Sequence, residues 1–497
     1  MLKLRALTTA NCIRTSDDRV VLVVISTIMV VYYGLLLTDG HFNILHPTSL
    51  GLIFNNMLLH MLDGRFDIDP TVIGNEAFVR DGRTYAYWGI FGALLRLPLL
   101  VWPRAINTDI TGLSCLAGVC IGGFFKLRSL LLVTRHSTVS SDTKLLVGAV
   151  GAWLLLGGAQ TGFLLASIYQ EVMFWSGAMA AVFVYVAIRG LLRAQFSTSS
   201  LSVMAAMAGL GLNTRVSIGI GLYAALGLLL AVLLYEELSG AGDARPWSVR
   251  LYSAALQRRT LISLAILLSF VIIAGIINAG RFGNPLTFAD YRHHLGSLFP
   301  GHMERLQTYG LFNLERVPFG LIYYFFPVWV LRGADGNLML NEYRYRLIDV
   351  AELPPASFLL TEMLPILLMV LVCWRTGVFY RRKPRLSQAL AIAAGLSVPG
   401  GLMLTAMGMT YRYRMDFLPL LEFVSFLAIP LLSQKYAVHR MARGLRISLV
   451  LATIVGIVAA HVILVLYKIS PLGPGQMHLQ EGIINLYSSA ALHKLIR

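Results

Sequence analysis

Five acids and three arginines lie within residues 63–83, an unusually polar segment in a chain that is 57% hydrophobic and only 13% charged. The acids are Asp63, Asp67, Asp69, Glu76 and Asp81, and the arginines are Arg65, Arg80 and Arg83. Alternating acids such as Asp67 and Asp69, together with Asp63, can form a two-carboxylate metal site. The segment lacks the dense acidic pattern and closing Glu of a calcium loop, so a divalent metal is possible but not supported, and the sequence requires no cofactor. The alternative is that the Asp-Gly pairs at 63–64 and 81–82 form ordinary turns.

Further ionisable residues lie at the ends of long apolar runs, where charge is costly and therefore a sign of function. They are Asp39, Glu171, Arg215, Arg281, Arg412, Arg414, Asp416 and Glu422. Arginine binds phosphate through paired, charge-assisted hydrogen bonds. A nearby carboxylate can remove the proton from an acceptor hydroxyl while a sugar is attacked, and arginines can stabilise the departing phosphate. The residue types thus favour group transfer at a phosphate carried by a lipid.

Each of these residues also has a structural interpretation. Asp39 can be a solvated residue after a helix, and Arg281 an interface anchor or part of a salt bridge. Arg412 and Arg414 can reach from a membrane helix to the interface. Arg215 and Glu422 are better interpreted as a structural pair or as polar contacts between helices. Several tyrosines and tryptophans nearby can stack on sugars or form the aromatic belt of a membrane protein; they are Tyr85, Tyr87, Trp88, Tyr169, Trp175, Tyr411 and Tyr413.

The elements that must position these residues are membrane helices, because the mean hydropathy is +0.69 and the charged fraction is far below the soluble norm. Apolar windows of about 20 residues predict about eleven transmembrane helices in an all-α polytopic membrane protein. The first is predicted to be a retained span and not a cleaved signal peptide, because no small-residue cleavage site follows it. The windows lie near 20–37, 108–125, 145–165, 172–192, 200–213, 216–235, 260–279, 357–374, 387–407, 417–434 and 447–467.

The distribution of positive charge predicts the orientation of these helices. With the N-terminus in the cytoplasm, the inner segments hold 23 of the 41 Lys and Arg residues in far fewer residues than the outer segments. The same count explains the net charge of +16 without a nucleic-acid partner. The four cysteines (Cys12, Cys115, Cys120, Cys373) show no spacing typical of disulfides or zinc. We therefore expect a multi-pass protein of the bacterial inner (plasma) membrane, surrounded by membrane lipids, with a cytoplasmic N-terminus and an outer C-terminus.

Two long stretches, 38–107 and 280–356, interrupt the spans and are predicted to lie on the outer side of one integral membrane domain, 1–497. Each contains an apolar segment that is short for a span: WGIFGALLRLPLLVW in the first and PFGLIYYFFPVWV in the second. Such segments are typical of interfacial or re-entrant helices. The predicted fold therefore has two outer loops with juxtamembrane helices.

The layout and several local motifs resemble the GT-C class of polytopic membrane glycosyltransferases, especially protein O-mannosyltransferases and lipid A aminoarabinose transferases. FNNMLLHMLDG at 54–64 is similar to the class's outer helix with a small-residue turn, and RTYAYWGIFGALLRLP at 83–98 to its second juxtamembrane helix. NAGRFGNP at 278–285 and RYRMDFLP at 412–419 are similar to motifs of unassigned bacterial membrane proteins. The adjacent Asp-Glu pair of the class is absent, since Gly40 and His41 follow Asp39, and the insertion before FNNMLLHMLDG is longer than in the class.

The resemblance implies a sugar transfer from a polyprenyl-phosphate donor to a glycan, lipid or protein acceptor, with inversion. Asp39 stands at the position of the class's first acid and Glu171 at that of its second, with Asp63 and Asp67 as alternatives for the base. The carrier phosphate would bind Arg65 or Arg83 and Arg281, and we add Arg412 from its position in the sequence. Two other classes stay open: a transporter or flippase of an anionic lipid or glycan, and a non-catalytic assembly subunit.

Overall fold

The computed structural model describes residues 15–102, 104–239, 257–298, 300–326, 349–350, 357–376, 384–436 and 440–469. The predicted all-α membrane fold is confirmed across these ranges, where helices dominate and the strands are two or three residues long. The helices are α1 (Thr15–Leu37), α2 (Ile53–Leu62), α3 (Pro70–Ile73), α4 (Phe91–Leu94), α5 (Thr111–Arg135), α6 (Ser141–Leu156), α7 (Gly158–Gly162), α8 (Ile168–Arg193), α9 (Thr198–Leu212), α10 (Val216–Leu238), α11 (Arg258–Phe282), α12 (Pro300–Tyr309), α13 (Val317–Phe325), α14 (Phe358–Thr361), α15 (Met363–Thr376), α16 (Pro384–Thr405), α17 (Leu418–Tyr436) and α18 (Arg443–Ile469).

Nine helical segments of the described ranges are long and apolar enough to cross a bilayer. They correspond to α1, α5, α6 with α7, α8, α10, α11, α16, α17 and α18. The other two predicted spans are also helices, but shorter: α9 has 15 residues and α15 has 14. Each apolar window therefore contains a helix, and nine of the eleven reach full spanning length by this measure.

Helix ends follow local sequence signals. Ser167 caps α8, because its hydroxyl accepts a hydrogen bond from the backbone N–H of Tyr169. Gly283 ends α11 with a φ of +73°, a left-handed conformation that glycine adopts without strain. These two caps fix where α8 begins and where α11 ends.

Small residues let the central helices approach closely. α5 packs along α8, and α10 packs along α16. Gly395 of α16 lies against the backbone of Ala225 in α10, so that a Cβ at this glycine would collide with it. Close backbone approach of this kind is a common way to join helices in a membrane.

We expect Gly395→Ala to lower the free energy of unfolding by about 1–3 kcal/mol, because α10 and α16 must separate to admit the methyl group. Gly401→Ala is the matched control, since a Cβ at Gly401 on the same helix meets open space. Thermal unfolding of the two purified variants in detergent checks the difference. Equal melting temperatures would contradict the close packing of these two helices.

The first outer loop contains short helices and one hairpin. α2 ends in a turn at Gly64, whose φ is +71°. Strands β1 (Phe78–Arg80) and β2 (Arg83–Tyr85) pair in antiparallel fashion around a turn at Asp81 and Gly82, both with positive φ. The turn interpretation of both Asp-Gly pairs is thus confirmed. The apolar segment that follows forms α4 and a 3-10 helix, Leu97–Val101, as short as its length predicts.

The second outer loop meets the first at this hairpin. The N–H of Leu295 donates to the carbonyl oxygen of Ala77 at 2.9 Å, and Phe78 forms an isolated β-bridge with His294. Of the predicted apolar segment 318–330, residues 318–326 contain most of α13 and the rest lies outside the described residues. The C-terminal segment 470–497 is also outside them. Strands β3 (Asp349–Val350) and β4 (Gly408–Met409) pair in parallel, which joins this loop to the segment before α17.

Candidate functional site

Asp39, the first predicted acid, follows the end of α1 with a φ of +54°. Its Oδ1 lies 2.5 Å from the Nζ of Lys468 near the end of α18. The carboxylate is still 67% exposed. Asp39 therefore joins the first and last described helices at their ends while remaining open to solvent, and its role as a base stays a prediction.

Glu171, the second predicted acid, is completely buried in the first turn of α8. It forms an ion pair with Arg96, whose Nη1 and Nη2 donate to its two oxygens, the second at 2.9 Å. The hydroxyl of Ser114 in α5 also donates to Oε1 at 2.5 Å. Glu171 thus holds the first outer loop against α5 and α8, and its oxygens have no exposed surface for a substrate.

Asp63, Asp67 and Arg65 lie together after α2. Arg65 is 3.3 Å from Asp67 and 3.6 Å from Asp63. The two ring nitrogens of His60 face different acids, Nδ1 toward Asp67 and Nε2 toward Asp69, each at 3.4 Å. Opposite ring nitrogens cannot bind one ion, and no group of three His, Cys, Asp or Glu residues in the described ranges is arranged for a metal.

Two of the predicted phosphate ligands have very different surroundings. Arg83 opens β2 and is exposed. Arg281, at the end of α11, is buried; its Nη1 donates to the carbonyl oxygen of Trp88 at 2.8 Å and its Nη2 lies 3.4 Å from the sulfur of Met57. Arg281 in this arrangement anchors the first outer loop, whereas Arg83 stays accessible.

The fourth predicted ligand, Arg412, belongs to a cluster in which four elements meet. Its guanidinium stacks over the ring of Tyr169 at 4.3 Å from the centroid. The phenol of Tyr169 interacts with the carboxylate of Glu76, and Nε2 of His294 lies 3.6 Å from Oε2 of the same carboxylate. We call Glu76, Tyr169, His294 and Arg412 the Glu76 cluster. It combines one carboxylate, one guanidinium and two polar rings from α8, both outer loops and the segment before α17.

The carboxyl group of Glu76 is ionised at neutral pH. Burial raises its pKa, but the interactions with His294 and Tyr169 and the charge of Arg412 lower it more, so that the pKa lies below the usual value of a glutamate. The side chain is 24% exposed. An ionised carboxylate that is partly accessible can accept a proton from a bound hydroxyl group.

Aromatic rings from the two outer loops surround the Glu76 cluster. Phe78 packs against His294 at 4.7 Å and against Tyr291 at 5.5 Å between ring centroids. Trp88 contacts both Tyr87 and Tyr169. Burial raises the pKa of Tyr87 and of Tyr291 well above 10, so both phenols stay neutral. Neutral aromatic faces beside a carboxylate suit the apolar face of a sugar as well as they suit a packed loop core.

An ion pair holds the short helix that carries Arg412. This 3-10 helix, Tyr411–Phe417, contains Asp416, which is buried and accepts from Nη2 of Arg215 at 2.5 Å and from Ser217 at 2.6 Å. The guanidinium of Arg215 also lies over the ring of Tyr413 at 5.1 Å. The interpretation of Arg215 and Glu422 as one pair is wrong, because Glu422 instead pairs with Lys126 of α5 at 2.6 Å. Arg215 and Glu422 therefore each make a polar contact with a residue that is distant in the sequence.

Glu76 and His294 are the residues that the sequence did not single out. Glu76 is one of five acids in a short loop, with no motif to distinguish it from the others. His294 lies in a loop without a recognisable pattern. Glu76 and His294 come together because the two outer loops contact each other, for example through Leu295 and Ala77.

No protein-family model and no curated protein matches the chain. Among solved structures it is similar to the oligosaccharyltransferase AglB from Archaeoglobus fulgidus in complex with an inhibitory peptide and a dolichol-phosphate, with 12% identity and a TM-score of 0.49 over 90% of this chain and 56% of that one. The apo form of that species' oligosaccharyltransferase gives 13% identity and a TM-score of 0.48 over 91% of this chain and 56% of that one. ArnT from Cupriavidus metallidurans bound to undecaprenyl phosphate gives 11% and 0.42, over 91% of this chain and 77% of that one.

The chain therefore spans little more than half the length of the oligosaccharyltransferase. AglB and ArnT are both glycosyltransferases of the GT-C class.

Proposed function

We propose that the chain is a membrane glycosyltransferase that moves one sugar from a polyprenyl-phosphate donor to a glycan, lipid or protein acceptor. The reaction takes place on the outer face of the bacterial inner membrane, with the N-terminus in the cytoplasm. The observation that supports it most directly is the Glu76 cluster. In this cluster Arg412 stacks on the ring of Tyr169, and the ionised carboxylate of Glu76 interacts with the phenol of the same tyrosine, at the outer end of a membrane helix.

Arg412 is the residue that we assign to the donor phosphate. A guanidinium already stacked on an aromatic ring keeps its N–H groups in one plane, where they can donate to two phosphate oxygens. Arg65 and Arg83 are accessible enough to contribute further charge. Arg281 contributes by holding the loop through Trp88.

The transfer itself requires a base on the acceptor side and charge stabilisation on the donor side. The acceptor oxygen attacks the anomeric carbon from the face opposite the phosphate, which inverts its configuration. The polyprenyl phosphate leaves with the bonding electron pair, and its negative charge is stabilised by arginine. Asp39, Asp63 and Asp67 remain proposals for the base, whereas the buried pairing of Glu171 favours a structural role.

The experiment is a mass-spectrometric profile of surface glycans from the source organism, comparing wild type, a deletion strain, and the deletion complemented with the wild-type gene. We expect the deletion to lose one defined sugar and the wild-type gene to restore it. If the protein transfers the sugar, the lipid-linked sugar should accumulate in the deletion strain on the outer face, where a membrane-impermeant reagent reaches it, whereas loss of a flippase would leave it on the cytoplasmic face. An unchanged profile would overturn the proposal.

A further inference from the structure

The acids of the first outer loop have different partners. Those other than Glu76 contact residues other than Arg412: Asp39 contacts Lys468, Asp63 contacts Arg65, Asp67 contacts Arg65 and His60, Asp69 contacts Asn56 and His60, and Asp81 contacts Arg80. Asp109, just after the loop, contacts Thr48 and Thr111. Glu76 shares Tyr169 with Arg412. Within the described part of this loop, Glu76 is therefore the acid that is placed to act beside a phosphate bound at Arg412.

Resting on the proposed function, we infer that Glu76 is the catalytic base and that Tyr169 and His294 are positioning residues that orient its carboxylate. Tyr169 belongs to α8 and His294 to the second outer loop, so the carboxylate is held from two sides. Its side chain keeps 24% of its surface exposed, which leaves room for a hydroxyl group to approach.

The step balances without a further reactant. The acceptor oxygen forms a bond to the anomeric carbon, and the bond between that carbon and the phosphate oxygen breaks. The bonding electrons leave with the polyprenyl phosphate, whose charge Arg412 stabilises. The proton of the acceptor hydroxyl passes to Glu76, which must be ionised beforehand.

His294 gives the assignment a specific pH signature. The groups that face Glu76 are His294 and Tyr291 from the second outer loop, Tyr169 from α8, Arg412 from the short helix before α17 and Tyr87 from the segment after β2. The imidazole of His294, 3.6 Å from the carboxylate, and the phenol of Tyr169 lower the pKa of Glu76. Removing the imidazole should therefore raise this pKa, so that transfer fails at a higher pH on the acidic side than in the wild-type protein.

The test uses the full-length protein in the deletion strain, with the affected sugar quantified by mass spectrometry. We expect Glu76→Gln to reduce transfer at least about 100-fold, the usual contribution of a general base. Glu315→Gln, at an exposed glutamate of the second outer loop, is the matched control and should restore the wild-type profile. Purified Glu76→Gln should still bind undecaprenyl phosphate, measured as a thermal shift in detergent, because Arg412 is intact.

Two further variants keep the inference testable if Glu76→Gln does not fold. Glu76→Asp retains the carboxylate but shortens its reach, and should fold normally with roughly 10-fold lower transfer. His294→Phe preserves the ring packing on Phe78 and should move the acidic limit of activity to higher pH, whereas His293→Phe should not. Transfer at the wild-type level in Glu76→Gln, or an unchanged acidic limit of activity in His294→Phe, would overturn the assignment and leave the proposed function standing. Failure of the deletion to change any glycan would instead overturn the proposed function.

Discussion

Replacing Arg412 by alanine is expected to lower sugar transfer at least about 100-fold, because the phosphate would lose the charged donor placed for it. The guanidinium lies 4.3 Å from the centre of the Tyr169 ring, a cation–π contact that fixes its plane. Arg412→Lys keeps the positive charge but loses the planar fork, so we expect an intermediate loss of roughly 10-fold. Glycan profiles of the complemented deletion strain measure both effects.

Binding of undecaprenyl phosphate to the purified variants separates this role from catalysis. The thermal shift seen with the wild-type protein should disappear in Arg412→Ala. Arg292→Ala is the control, because Arg292 is a 65% exposed arginine of the second outer loop that pairs with Asp290 at 2.7 Å. A normal thermal shift with undecaprenyl phosphate and a normal glycan profile in Arg412→Ala would show that Arg412 does not bind the donor phosphate.

The positions of the membrane helices could be predicted from the sequence because they depend on local properties. A bilayer requires about 20 apolar residues per span, and each predicted window contains a helix. The turns at Gly64 and Gly82 were equally local, since an Asp-Gly pair favours positive φ wherever it occurs. The lengths of the spans were harder to predict than their positions, because α9 and α15 have apolar sequences but form helices of only 15 and 14 residues.

The partners of the charged residues could not be predicted, since they come from distant parts of the chain. Asp39 has the position of a catalytic acid in the sequence, but nothing local indicates that Lys468 lies beside it. Glu76 resembles its acidic neighbours until the loop that carries His294 folds onto it. Arg412 stands out in the sequence because an arginine at the end of a membrane helix is conspicuous even without its partners.

For Glu171 the missing partner leads to the opposite error: the sequence indicates a functional acid, whereas the structure pairs the residue with Arg96. In the sequence it is an acid among aromatic residues at the start of a span, which favours a functional site. Its partner Arg96 lies 75 residues earlier, within an apolar segment where it indicated only an interfacial helix. A buried acid whose partner is distant in the sequence therefore resembles a functional residue until the fold brings the two together.

We expect Glu171→Met or Arg96→Met alone to lower the free energy of unfolding by about 3–5 kcal/mol, because each leaves one buried charge without its partner. Both side chains have no exposed surface, so solvent cannot compensate the remaining charge. The double variant removes both charges and should lose less stability than either single variant, which requires a coupling energy larger than one single loss, about 3 kcal/mol or more. Thermal unfolding in detergent of the wild type, the two single variants and the double variant completes the double-mutant cycle.

The same four proteins decide what Glu171 does. If the pair only anchors the first outer loop, the double variant should regain sugar transfer together with stability, because Glu76 and Arg412 return to their places. If Glu171 takes part in the reaction, the double variant should regain stability while the sugar stays absent from the glycan profile. Additive losses of stability in the double variant would contradict the ion pair itself. Because Arg96 and Glu171 connect the loop that carries Glu76 to the helix that carries Tyr169, recovery of both properties would tie the order of the loop directly to activity.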